Sequence, residues 1–162
     1  LFRDVLHNHV DHHSARGDRQ QALAAFYKKW KNDALVTDKW FSIQATSRLP
    51  GTLEQVKALT QHEGFNIKNP NKVRALIGAF AHGNPACFHD PSGAGYAFVA
   101  DRVLELDPVN PQVAARMLAP LSRWKRYRQK QQKLMCEQLE RIRQCAGLSN
   151  DVGEIVEKSL LH

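Results

Sequence analysis

Cysteine is scarce in this sequence, and its pattern excludes two chemistries. Cys87, Cys136 and Cys145 form an odd set without Cys-x-x-Cys spacing, which argues against a zinc knuckle and against a disulfide framework. Reduced, mostly buried thiols in a cytosolic protein are the simplest account. No run approaches the 18 apolar residues of a membrane span, so no membrane is expected as a partner. No charged-then-apolar leader opens the chain. It begins at Leu1 in what reads as mid-helix, and the expectation is a fragment of a longer polypeptide, located in the cytoplasm. Strict β alternation is absent, as are Asn-Gly and Asp-Gly turns between β-branched runs. Carboxylates are also in short supply, with 16 acidic against 23 basic side chains.

What remains is helical. Asp18 can cap a helix whose Leu23, Phe26, Tyr27 and Trp30 share one face. A second apolar set follows at Leu35, Val36, Trp40, Phe41 and Ile43. Thr52 with Gln55 resembles a capping box, and Gly64 is placed to stop that helix. Gly93 and Gly95 read as the close-packing start of a helix over Tyr96–Leu106, since the motif lacks both the preceding strand of a dinucleotide fold and the Gly-Lys-Ser of a P-loop. The longest helix is predicted from Pro120 or Ser122 to about Ala146, with Gly147 as terminator and Ser149 opening a last short helix. Breaks at Leu49-Pro50-Gly51, Asn84-Pro85, Asp90-Pro91-Ser92-Gly93 and Asp107-Pro108 keep the connections short. The expected fold is all-α, a single domain over residues 1–162 built as a right-handed superhelix of antiparallel helix pairs similar to armadillo or HEAT arrays.

Two segments repeat. Residues 69–77 (Asn-Pro-Asn-Lys-Val-Arg-Ala-Leu-Ile) and 110–118 (Asn-Pro-Gln-Val-Ala-Ala-Arg-Met-Leu) lie 41 residues apart, a period of stacked helical repeats. Each puts a capping asparagine before a proline at the first helical position and carries an arginine about one turn later. A cation there does not serve the helix dipole. Arg74 and Arg116 could therefore project to one concave face, where paired guanidinium forks suit a carboxylate or phosphate. The competing reading is that each is salt-bridged to a neighbouring helix.

Other candidate chemistry is weak. His9 and His13 in the His-rich start could share a helix face, but Val10 stands where a zincin helix needs glutamate. No nucleophile elbow occurs, and Cys87 near His89 is too close in sequence to carry weight. Six cations between Arg123 and Lys133 read as the solvated face of a long helix. Their aromatic neighbours Trp124 and Tyr127 can equally be core, so nucleic acid is not the expected partner.

The string Asn69-Pro70-Asn71-Lys72-Val73-Arg74-Ala75-Leu76-Ile77-Gly78-Ala79-Phe80, followed by Asn84-Pro85-Ala86-Cys87-Phe88-His89, resembles the C-terminal helical domain of bacterial aminopeptidase N, zinc metallopeptidases of the M1 family. The likeness runs upstream through Leu35–Phe41 and Gln44–Ser47, and downstream through Asn110–Ala114, Arg116 and Lys125-Arg126-Tyr127. It covers roughly residues 19–162; the first 18 residues match poorly. The resemblance implies a domain that closes a chamber over a separate zinc-bearing catalytic domain of the same polypeptide. The zinc-binding His-Glu-x-x-His motif of that catalytic domain is not in this sequence, so a chain of this kind is expected to be inactive alone, with no cofactor and no catalytic residue of its own. It also implies that Arg74 and Arg116 face the chamber as peptide-binding groups. The alternative from the residues alone is a free-standing helical scaffold for a protein partner.

Overall fold

The computed structural model describes residues 14–161, with side chains from residue 17 onward. The His-rich segment 7–13, including His9 and His13, lies outside the described residues. The chain divides into two compact units, residues 1–40 and 41–162. Among the described residues every regular element is helical.

The first unit holds α1 (Ser14–Trp30) and the opening of α2 (Ala34–Ala45). Asp18 sits inside α1 rather than at its cap. The capping aspartate belongs to α2 instead: Asp33 Oδ1 accepts the Val36 N–H at 3.1 Å. Leu23 and Trp40 are buried, and the Trp40 indole N–H donates to the Leu23 carbonyl at 2.9 Å. Tyr27 lies tilted on Trp40, ring centroids 4.9 Å apart. The expected face is only partly interior, because Trp30 and Leu35 are exposed.

The second unit begins at Phe41 and continues with α3 (Thr52–Leu59), α4 (Pro70–Val73), a π-helical turn (Arg74–Gly78), α5 (Ala79–Gly83) and α6 (Pro85–Phe88). Then come α7 (Ala94–Leu106), α8 (Pro111–Met117), α9 (Ala119–Ser122), a 3-10 turn (Trp124–Arg126), α10 (Gln129–Arg143) and α11 (Asn150–Leu161). Its core is aromatic and aliphatic, with Phe41, Phe80, Phe88 and Tyr96 fully enclosed.

Several start and stop signals land elsewhere than expected. Thr52 is the first residue of α3, not its cap; its hydroxyl donates back to the Leu49 carbonyl at 2.7 Å, and Gln55 reaches Gln44 instead of closing a capping box. The α3 helix ends at Leu59, before Gly64. The helix expected over 120–146 is broken into the short α9, which starts at Ala119 and ends at Ser122, the 3-10 turn and α10, with Tyr127 extended between the last two. Its six cations therefore surround a turn and the start of α10 instead of forming one stripe; all are exposed. Gly147 adopts φ 79° after α10, as a terminator should. Ser149 caps α11 through its hydroxyl to the Val152 N–H at 3.2 Å. Buried Asp107 anchors that cap by accepting both the Ser149 N–H and its hydroxyl.

Two glycines have a visible reason. Gly93 starts α7 at φ 74°, where a side chain would be strained. A Cβ on Gly95 would stand 2.6 Å from the Phe88 carbonyl oxygen, so only glycine lets α7 approach α6 this closely.

Candidate functional site

The two Asn-Pro repeats fold by one rule. Asn69 Oδ1 accepts the Asn71 N–H at 3.0 Å, and Asn110 Oδ1 accepts the Val113 N–H at 3.1 Å. Each cap satisfies one of the amides that a helix start leaves without a partner. Behind the caps the buried positions run in parallel: Val73, Leu76, Ile77 and Phe80 in the first repeat, Ala114, Met117, Leu118 and Leu121 in the second. The repeat is thus a repeat of core positions. It fixes which residues on each helix are left for the surface.

A third Asn-Pro step, which the sequence presents as a simple break, also caps a helix. Asn84 Oδ1 accepts the Cys87 N–H at 3.2 Å at the start of α6. Its amide nitrogen donates to the Ala45 carbonyl at 2.9 Å and the Ser47 carbonyl at 2.7 Å. One buried side chain thereby closes the end of α2 and opens α6.

Arg74 and Arg116 are both exposed. The stem of Arg74 lies beside Gly78; a Cβ added there would make ordinary contacts, 3.7 Å from both Arg74 Cγ and the terminal methyl of Met117. The two repeats therefore meet at Gly78, with Met117 being the neighbour of Arg116 in sequence. The Arg74 guanidinium donates to Asn71 Oδ1 at 2.7 Å. Neither arginine forms an ion pair with a carboxylate among the described residues. Neither arginine is therefore salt-bridged to a neighbouring helix among the described residues, and both forks keep donors for a ligand.

Lys72 of the same repeat is buried, its ammonium 5.8 Å from the centre of the Phe41 ring. It packs with the core and does not join the exposed arginines. Nothing in the sequence separates Lys72 from Arg74 as buried and exposed except the helical phase, which the Asn-Pro cap sets.

Elsewhere the titratable groups read as structure. His89 Nδ1 meets the Tyr96 hydroxyl at 2.8 Å, with Tyr127 stacked at 4.3 Å from the His89 ring. Burial pushes the Tyr96 phenol up to about 12, with Tyr127 adding to the shift, and burial lowers His89. Burial, then Glu140 and Glu137, raise the Cys136 thiol, which leaves it a poor nucleophile. All three cysteines are half-buried and free. No set of three His, Cys, Asp or Glu side chains among the described residues is arranged to hold a metal ion. An open groove of about 540 Å³ runs between Trp124 and the outer side of α10, lined by Gln132, Lys133, Glu137 and Arg141 among others; it contains neither repeat arginine. No described helix is long and apolar enough to cross a membrane.

Among the described residues the candidate site is thus a pair of exposed guanidinium groups without carboxylate partners, carried on an all-helical scaffold. A family model described as a domain of unknown function (DUF3458_C) with ARM repeats matches residues 5–161, and the chain belongs to that family. Over 142 residues, 88% of the chain, it is 50% identical to aminopeptidase N of Caulobacter vibrioides and 44% identical to aminopeptidase N of Escherichia coli. It spans 16% of the length of each. A solved relative, the crystal structure of Legionella pneumophila aminopeptidase A in complex with aspartic acid, matches with a TM-score of 0.83 at 40% identity, over 87% of this chain and 16% of that one. The resemblance read from residues 69–91 and their flanks therefore holds, and so does the all-helical repeat architecture.

Proposed function

We propose that this chain is the non-catalytic C-terminal domain of a zinc aminopeptidase that removes N-terminal amino acids from peptides in the cytoplasm. Its partner is the catalytic domain of the same polypeptide, over which it closes a chamber. Among the described residues no donor set fits a zinc site, and the metal and the bond-breaking step are assigned to that partner. What this chain supplies is position. Arg74 and Arg116 hold the carbonyls or the C-terminal carboxylate of the peptide beyond the scissile bond, as bidentate donors do well. The observation that carries this reading is that both repeat arginines are exposed and free of carboxylates, in a chain half identical to an aminopeptidase N.

Alanine at either arginine in the full-length enzyme is the test. A charge-assisted hydrogen bond is worth about 1.5–3 kcal/mol, so kcat/KM for a peptide should fall by roughly 10- to 100-fold. Turnover of an amino-acid anilide, which has no distant carboxylate, should change less than about 2-fold. Equal losses on both substrates, or none, would remove the reading.

A further inference from the structure

The two arginines are not at the same distance from their caps. Arg74 is five residues past Asn69, whereas Arg116 is six past Asn110. In two regular α-helices that difference is about 100° of rotation, enough to aim the forks apart. The first repeat, however, is not regular. The Ala79 N–H, which in an α-helix would bond the Ala75 carbonyl, reaches the carbonyls of Arg74 and Leu76 instead. The turn Arg74–Gly78 is thereby π-helical and holds one residue more than an α turn. Relative to the buried residues downstream, Arg74 then stands where the next position would stand in an α-helix. That next position is the one that aligns with Arg116.

A π turn is uncommon, and this one has a visible support. The Ala75 carbonyl, deprived of its usual amide, accepts the Ser42 hydroxyl of α2 at 2.9 Å. A buried carbonyl left without a partner is costly, so this bond favours the π register over one in which Ala75 would be satisfied by its own helix.

We propose that Ser42 is a positioning residue: its bond to the Ala75 carbonyl holds the π turn and so brings Arg74 into register with Arg116 for the far end of a peptide. This rests on the proposed substrate role of the arginines. The experiment takes Ser42→Ala, Ser42→Thr, Arg74→Ala and the Ser42→Ala/Arg74→Ala double variant in the full-length enzyme, with a crystal structure of Ser42→Ala. The expected structure shows the Ala79 N–H returned to the Ala75 carbonyl and the Arg74 fork displaced. The expected kinetics are a rise of about 5-fold in peptide KM for Ser42→Ala, an unchanged kcat on the anilide, and recovery with threonine. The double variant should be no worse than Arg74→Ala, because both changes remove one interaction. A Ser42→Ala structure that keeps the π turn with Arg74 in place overturns the inference, as does a loss in the double variant equal to the sum of the singles. If Arg74→Ala leaves peptide KM unchanged, the substrate role fails instead, and the Ser42→Ala structure alone decides whether Ser42 holds the turn.

Discussion

Replacing Asn84 should unfasten two helix ends at once. Its side chain is 1% exposed and makes three hydrogen bonds: two donated to the Ala45 and Ser47 carbonyls, one accepted from the Cys87 N–H. Each is worth about 1 kcal/mol net, and the groups left behind have little water to turn to. Asn84→Ala should therefore cost about 2–4 kcal/mol. With a urea m-value of roughly 2 kcal/mol per molar, the unfolding midpoint should drop by about 1–2 M. Asn84→Asp separates the two roles. It keeps the oxygen that caps α6 but sets a second carboxylate oxygen against two carbonyl oxygens in a buried place. At neutral pH it should be less stable than Asn84→Ala. Measured against the parent protein at each pH, it should recover in acid, where the carboxyl, held protonated by burial, can donate again. A shift below about 0.5 kcal/mol for alanine, or an aspartate variant as stable as the parent, would refute the assignment of Asn84 as a double clasp.

Other consequences follow from single contacts. Gly95→Ala should lose about 1–3 kcal/mol, because its Cβ would meet the Phe88 backbone at 2.6 Å. Gly78→Ala, whose Cβ would find ordinary contacts at 3.7 Å, should lose less than about 0.5 kcal/mol; thermal melts of the pair check the contrast. Asp107→Ala should cost about 1–3 kcal/mol in the same melts, by freeing the Ser149 cap of α11. His62 and His89 are both lowered chiefly by burial. The unfolded chain therefore takes up their protons first, so stability from this source is full above about pH 6.5 and is lost as pH falls from there through the lowered folded values. Urea midpoints between pH 8 and 5 should decline, and His89→Gln should flatten part of that decline.

The sequence carries the fold through its punctuation. Asn69-Pro70 and Asn110-Pro111 announce helix starts because proline at the first helical position needs no amide partner and asparagine supplies the cap. Gly147 and Ser149 mark the last two helix ends for similar local reasons. The failures are tertiary. The polar run at 123–133 looks like continuous helix, yet the chain breaks at Tyr127, whose ring stacks on His89 from another part of the unit. Trp30 has the spacing of a buried residue but ends exposed. Asn84 was visible as a turn signal, but not its reach to α2, since a bond across 39 residues leaves no local mark. For the candidate site, the arginines were legible from the repeat. The π turn under Arg74 was not, because it depends on a hydroxyl 33 residues away.

The most direct test of the proposed role is a structure of the full-length enzyme with a bound peptide of several residues. The expected result places the Arg74 and Arg116 guanidinium groups within about 3 Å of the peptide's distal carbonyls or its terminal carboxylate, inside an enclosed chamber. Arginines on the outer surface of the enzyme, with the peptide's far end held by other groups, would contradict it.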